Sequence, residues 1–210
     1  MDLNLLLYSF TSLFIIMDPV GLAPIFYVLT GNYPEERKKR IIHKTLIVVL
    51  TTLLTFAFFG TWIFKFFGIT INSFKLAGGL LLLKIAWDML HAEISGIKQT
   101  SKEEKELEYL ENIAVVPLGI PLLAGPGTIT TTIILMDSAN TVSDKITVLI
   151  SILLVSMISG IMLYLSEPIA KALKTSGINA IVRLMGLILA AISIEIIFSG
   201  TYGMIKTAVV

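Results

Sequence analysis

The sequence has no cysteine, few charged residues and only two histidines. Without cysteine, disulfides, thiolate metal sites and cysteine nucleophiles are excluded. His43 and His91 fall in charged connecting segments, so a zinc site of clustered histidines is not expected. Lys and Arg number 16 against 15 Asp and Glu, so no basic surface points to nucleic acid as a partner. Charged residues form 15% of the chain, against about 25% in globular proteins, which excludes a large soluble domain.

Apolar runs fill most of the 210 residues instead. Each of six runs is long enough for a bilayer span of roughly 20 residues; they cover residues 3–29, 41–64, 69–90, 113–136, 146–165 and 181–205. The first run lacks the basic start of a signal peptide, so we expect it to be retained as a span. Residues 91–112 form the one long polar stretch and predict a short helix or a solvated tether. The sequence therefore predicts an all-α polytopic protein that forms a single transmembrane domain over residues 1–210, surrounded by the lipid bilayer.

The distribution of Lys and Arg between the loops predicts the orientation. If all six runs cross and the N-terminus is outside, eleven basic residues lie inside and four outside. If the first and fourth runs re-enter instead, the count is ten against five, with the N-terminus inside. We favour six crossings because both runs continue well beyond their helix-breaking residues. We therefore expect a multi-pass protein of the cell (plasma) membrane with both termini outside.

The two halves of the chain resemble each other at a spacing of 107 residues. This spacing pairs Pro19 with Pro126 and Gly79 with Gly186, and between positions 71 and 85 six of fifteen residues are identical. We therefore expect one three-helix repeat over residues 1–90, a polar connector over 91–112, and a second repeat over 113–210. Three spans per repeat is an odd number, so the second repeat must be inverted. Inverted repeats are typical of secondary transporters, whose substrate site lies near the midplane between the repeats.

The first and fourth runs each contain a cluster of helix-breaking residues. The first reads DPVGLAP from Asp18 to Pro24, and the fourth reads PLGIPLLAGPGTITT from Pro117 to Thr131. Proline removes an intrahelical hydrogen bond, and freed backbone groups must line a cavity enclosed by protein. Each new helix start presents N–H groups with positive partial charge, and Asp18 is placed to cap the first of them. Simple kinking by proline is the alternative interpretation.

Broken helices at matching positions in two halves indicate a transporter's binding site. The predicted substrate-binding residues come from both clusters: Asp18, Pro19, Gly21, Pro24, Gly125, Pro126, Gly127, Thr128 and Thr131. Backbone N–H groups would hold a carboxylate, and carbonyl groups would hold an ammonium group or a cation. We predict no catalytic residues and no metal site.

Three carboxylates inside the spans are candidates for ion coupling: Asp18, Asp88 and Glu195. An intramembrane carboxylate is costly and functional by default. Asp88 lies four residues after Lys84, so pairing of these two on one helix face is the alternative role for Asp88. Interhelical hydrogen bonding is the alternative for Glu195. Asn72 and Asn179 open two spans and are interpreted as helix N-caps.

The DPxGxxP stretch from Asp18 and the PLxxPLxxGPG stretch from Pro117 resemble the MarC family of integral membrane proteins. The resemblance covers nearly the whole chain, with both motifs in order. That family includes small neutral amino-acid transporters, so the resemblance implies a transporter. The family pattern often has alanine where this chain has Gly119 and Thr128, and the threonine adds polarity to the expected pocket.

The function hypothesis is secondary transport of a small neutral amino acid such as glycine or alanine, coupled to a proton or Na⁺ gradient. No organic cofactor is expected, and no GxxxxGK[ST] motif for ATP occurs. A channel or an exporter for another small solute is the alternative. A membrane-embedded enzyme is disfavoured, because the spans hold no Ser–His arrangement and no metal-ligating pair of histidines. Homo-oligomerisation is left open, because glycine and alanine lie on several span faces.

Overall fold

The computed structural model describes residues 3–31, 33–91 and 114–209, nearly all of them helical and none in a strand. The helices are α1 (Leu3–Met17), α2 (Pro19–Thr30), α3 (Glu35–Phe67), α4 (Ile71–Leu90), a π-helical segment (Ala114–Leu123), α5 (Pro126–Ser138), α6 (Val142–Tyr164) and α7 (Ser166–Val209). The predicted all-α class is confirmed. Apart from His91, the connector predicted over residues 91–112 lies outside the described residues.

Four helical stretches among the described residues are long and apolar enough to cross a membrane. They are Leu3–Thr30 (α1 with α2), Glu35–Phe67, Val142–Tyr164 and Ala180–Lys206. The last of these lies within α7, which begins at Ser166, well before the predicted start of the sixth run. Pro168 stands in the first turn of α7, where a proline removes no intrahelical hydrogen bond, and it is therefore compatible with a helix that begins at Ser166.

Side-chain caps define the starts of α4 and α6. The Thr70 hydroxyl accepts a hydrogen bond from the Ser73 N–H, and Thr141 does the same for Asp144, each within a capping box. The cap of α4 is therefore Thr70, and the interpretation of Asn72 as an N-cap was wrong. Asn72 lies inside the first turn, where it packs against Gly203 of α7. A threonine hydroxyl that bonds the nearby backbone is well suited to cap a helix. The apolar run that begins at residue 69 did not show which residue caps the helix.

The α4 and α7 helices form the most extensive helix pair among the described residues. Glycines bring the two backbones together. A Cβ added to Gly79 would lie 3.1 Å from the Ser193 carbonyl oxygen, and one added to Gly186 would lie 3.2 Å from the Ala86 carbonyl oxygen. Residue numbers rise along α4 as they fall along α7, so the two helices are antiparallel.

The remaining helices pack around this pair. The α1 helix packs on α6, and the π-helical segment packs on α3. The α2 helix contacts both α6 and α7, while α5 contacts both α3 and α4. As a result, the junction between α1 and α2 and the junction that leads into α5 both face the interior of the bundle.

Candidate functional site

The first helix break is a single residue, Asp18, in the left-handed conformation at φ 42° and ψ 60°. Aspartate adopts this region more readily than most side chains do. Asp18 N–H donates to the Phe14 carbonyl at 3.1 Å and closes α1, while its own carbonyl accepts from Leu22 N–H at 3.2 Å and opens α2. Pro19 follows at the first helical position, where its fixed φ favours a helix start. The predicted break in the first run is thus confirmed.

The Asp18 carboxylate folds back over the start of α2. Its Oδ1 accepts a hydrogen bond from Gly21 N–H at 3.1 Å, as predicted for a cap. Gly21 is buried, and a Cβ there would collide with the carboxylate and with Met185 of α7. Glycine at position 21 is therefore required by close approach. Pro24 is buried inside α2.

The second break is built differently. The π-helical segment carries the chain to Leu123, with Ala124 N–H donating to the Gly119 carbonyl at 2.8 Å. Gly125 is extended at φ −76° and ψ 176°, and α5 begins at Pro126 with no side-chain cap. Gly127 and Thr128 lie in this first turn, where helices leave backbone N–H groups without intrahelical acceptors. Pro126 packs directly against Gly78 of α4.

Both breaks line one cavity of about 60 Å³. A water needs about 10–15 Å³ of such space, so the cavity has room for a few non-hydrogen atoms. Asp18 and Gly21 contribute from the first half of the chain, and Gly125, Gly127 and Thr128 contribute from the second. The sequence predicted all five residues, and the structure brings them together.

The other predicted residues lie outside the cavity lining. Pro19, Pro24 and Pro126 shape the breaks without lining the space, and Thr131 is half-buried one turn further along α5. Asp88 is half-buried on α4, and Glu195 is exposed on α7. Asp18 is the one cavity-lining carboxylate of the three coupling candidates, and it forms no ion pair among the described residues.

Sequence reasoning missed the apolar walls of the cavity. These walls come mainly from α7, with further residues from α1, α2 and α4, and include Ile16, Leu82, Met89, Met185, Leu189 and Ile192. Apolar residues in a membrane span give no sign of whether they face lipid, core or substrate. The repeat held one partial signal: Leu82 and Leu189 are 107 residues apart, and so correspond to each other.

Comparison with known proteins identifies the family of this chain. The family model described as "MarC family integral membrane protein" matches residues 3–205. This chain belongs to the MarC family. A UPF0056 membrane protein from Methanocaldococcus jannaschii is 51% identical over 202 residues, covering 96% of this chain and 89% of the relative.

Relatives with the same description extend to bacteria. A second UPF0056 membrane protein from M. jannaschii is 41% identical over 206 residues, covering 97% and 98% of the two chains. The UPF0056 membrane protein YvbG from Bacillus subtilis is 36% identical over 205 residues, covering 97% of both chains. No solved structure matches the chain. These names identify an integral membrane protein of the MarC family and name no solute.

Proposed function

We propose that this MarC-family protein is a secondary transporter of small neutral amino acids, such as glycine or alanine, driven by a proton or Na⁺ gradient. One observation carries the proposal: two helix breaks, one from each half of the chain, line the same small cavity. Paired broken helices are how membrane transporters expose backbone groups to a substrate without exposing them to lipid.

The two breaks offer opposite charges, as a zwitterion requires. The uncapped start of α5 presents the Gly127 and Thr128 N–H groups, which suit a substrate carboxylate. Asp18 supplies a negative charge on the other wall, for the substrate ammonium group or for the coupling ion. The small volume and the apolar walls favour a short side chain over a long or charged one.

The proposal includes six crossings and two inverted repeats. The contacts between α4 and α7 support it, because the two closest of them join residues that correspond to each other at the spacing of 107 residues. Gly79 meets the Ser193 carbonyl, and the corresponding Gly186 meets the carbonyl of Ala86, which corresponds to Ser193. The packing of α1 on α6 likewise corresponds to that of the π-helical segment on α3. Such reciprocal contacts are expected of a pseudo-two-fold axis.

This symmetry supplies a route to alternating access. In our proposal the protein lies in the plasma membrane with both termini outside, and the two breaks move relative to each other around a fixed site. Binding at Asp18 and at the start of α5 would couple the halves, since one solute touches both.

Catalysis is the less favoured reading of the cavity. A paired-carboxylate enzyme needs two acids in one space, and of Asp18, Asp88 and Glu195 only the first lines the cavity. A channel is the second candidate function. It differs from a carrier in lacking saturation and counterflow, so kinetics distinguish the two.

The test is uptake of labelled glycine and alanine into proteoliposomes under a proton gradient, a Na⁺ gradient or none. We expect saturable uptake that follows one gradient, together with counterflow. Vesicles containing Asp18→Asn protein provide the matched control, because asparagine keeps the shape and one acceptor oxygen of the side chain but not its charge. Absence of saturable uptake of both solutes by folded wild-type protein would refute the amino-acid assignment. Uptake without saturation would favour the channel.

A further inference from the structure

A larger cavity, here the α3–α6 cavity, lies where α3 ends and α6 begins. Its volume is about 380 Å³, within the range of roughly 300–1,000 Å³ that is usual for ligand pockets. The last turns of α3, the end of α5 and the start of α6 form its walls. Asp137 in its lining is nine residues after Thr128, which is about 180° around α5. The α3–α6 cavity therefore faces the side of α5 away from the helix breaks, and no described residue lines both cavities.

The α3–α6 cavity lies at the level where its helices leave the bilayer. The apolar run over residues 41–64 ends just before Lys65, and the run over 146–165 begins just after Lys145. Both lysines line the cavity. They therefore lie at one and the same face of the membrane, at the depth of the lipid head groups rather than of the acyl chains.

The charges in the cavity lining do not cancel. The lining holds two lysines, Lys65 and Lys145, and one carboxylate, Asp137. Both Asp137 oxygens lie 3.2 Å from the Thr61 hydroxyl of α3, which donates to them. Neither lysine forms an ion pair with a described residue. The lining thus carries a net charge of about +1, and both ammonium groups can turn to a single anion.

The α3 wall of the cavity is aromatic and open to the outside of the bundle. Phe58 and Trp62 both line the cavity, yet 60% and 64% of their surfaces are exposed. Trp62 also stacks on Phe66 with ring centroids 5.3 Å apart, which extends the apolar surface toward the end of α3. Tryptophan is favoured at the head-group level of a membrane. A ligand in this cavity would therefore meet ammonium groups on one side and a lipid-facing apolar surface on the other.

We propose that the α3–α6 cavity binds the head group of an anionic phospholipid. The phosphate lies between Lys65 and Lys145, and the acyl chains continue along Trp62. One phosphodiester charge balances the net charge of the lining, whereas a zwitterionic lipid leaves that charge uncompensated. Asp137 accepts from head-group hydroxyls such as those of phosphatidylglycerol. A small soluble anion would leave the aromatic wall unused, and the proposal does not rest on the transport activity.

Tryptophan fluorescence tests the site directly, because the chain has two tryptophans and Trp87→Phe leaves only Trp62 at the cavity. This protein is reconstituted into phosphatidylcholine vesicles that contain a small fraction of phosphatidylglycerol with brominated acyl chains, since bromine quenches nearby tryptophan. We expect stronger quenching than from the same fraction of brominated phosphatidylcholine. Equal quenching by the two brominated lipids would overturn the proposal.

Charge variants in the same protein show whether the two lysines hold the lipid. Lys65→Gln and Lys145→Gln should each weaken the apparent affinity for phosphatidylglycerol about fivefold, and both positions are exposed, so folding should persist. Lys206→Gln is the matched control, because Lys206 is exposed at the end of α7 and lines neither cavity. An equal loss in the control would overturn the proposal. Reversal of the quenching by soluble glycerol phosphate would also overturn it, since the site would then take a free phosphate ester and not a lipid.

Discussion

Both helix breaks interrupt an apolar helix and line the same cavity, but different residues form them. At the first break a left-handed Asp18 caps its own new helix through a 3.1 Å hydrogen bond to Gly21 N–H. At the second, an extended Gly125 leads into α5 and no side chain caps the helix. One wall of the cavity thus supplies its own anion, and the other leaves its N–H groups to a ligand.

This difference shows that corresponding positions in the two repeats need not have the same role. Pro19 and Pro126 correspond in the two halves, but the residue before each proline is aspartate in one and glycine in the other. A symmetric pair of uncapped helix starts would suit a dianion. A pair in which one start is already neutralised suits a ligand with one negative and one positive group. Variants that make the two breaks more alike, or that increase the difference in charge and capping between them, should therefore change transport in predictable ways.

The largest effect is expected from removing the charge of the first break. Asp18→Asn should lower the rate of uptake more than tenfold, about 1.4 kcal/mol or more, while the protein remains folded. The amide can still accept from Gly21 N–H, and asparagine also adopts left-handed conformations. The measurement is initial uptake in proteoliposomes, with the thermal midpoint in detergent as the check on folding.

Asp18→Ala provides the comparison for that experiment. Alanine loses both the charge and the cap, so we expect it to add about 1 kcal/mol of destabilisation to the loss of transport. If Asp18→Asn transports like the wild type while Asp18→Ala does not, then Asp18 acts through the backbone break alone. The proposed charge role would then be abandoned.

Much of the fold was predictable, because apolar length and proline–glycine clustering are local signals. All six apolar runs fall on helices as far as they are described, and the breaks at Asp18 and Gly125 lie where the motifs placed them. The walls of the cavity were not predictable. Whether Met185 faces Gly21 or lipid depends on how α7 rotates against α2, which no local pattern records. The same applies to Glu195, a candidate for ion coupling, whose exposure on α7 and position outside the cavity lining no local pattern records.

Filling the second break should have the next largest effect. In Gly127→Leu the added side chain would occupy the space beside Ile16 and Ile196 that the cavity provides. We expect uptake to fall at least tenfold, about 1.4 kcal/mol, with membrane insertion unchanged. Substrate-dependent thermal stabilisation should disappear together with uptake. Normal uptake by this variant would show that the start of α5 is not part of the substrate site.

Alanine substitutions at the two breaks should separate packing from function. A Cβ at Gly21 meets the Asp18 carboxylate and Met185, whereas a Cβ at Gly127 meets only side-chain ends, at 3.1 and 3.4 Å. Gly21→Ala should therefore destabilise the protein by about 1–3 kcal/mol through overpacking. Gly127→Ala should cost less than about 1 kcal/mol, because Ile16 and Ile196 can shift. Thermal unfolding in detergent, followed by tryptophan fluorescence, compares the two, and an equal loss in both would contradict the asymmetry.

The smallest effect is expected from the hydroxyl of Thr128, which is buried in the first turn of α5. Thr128→Ala leaves the backbone N–H in place, so the site for a carboxylate persists, and only the polarity of the wall changes. Loss of one neutral hydrogen bond is worth about 0.5–1.5 kcal/mol, or a few-fold in affinity. We expect KM to change by that factor with the maximal rate preserved, and the preference between glycine and alanine to shift toward the more apolar solute. A large fall in maximal rate would mean that the hydroxyl takes part in coupling, and the assignment of the cation to Asp18 alone would have to be extended to the second break.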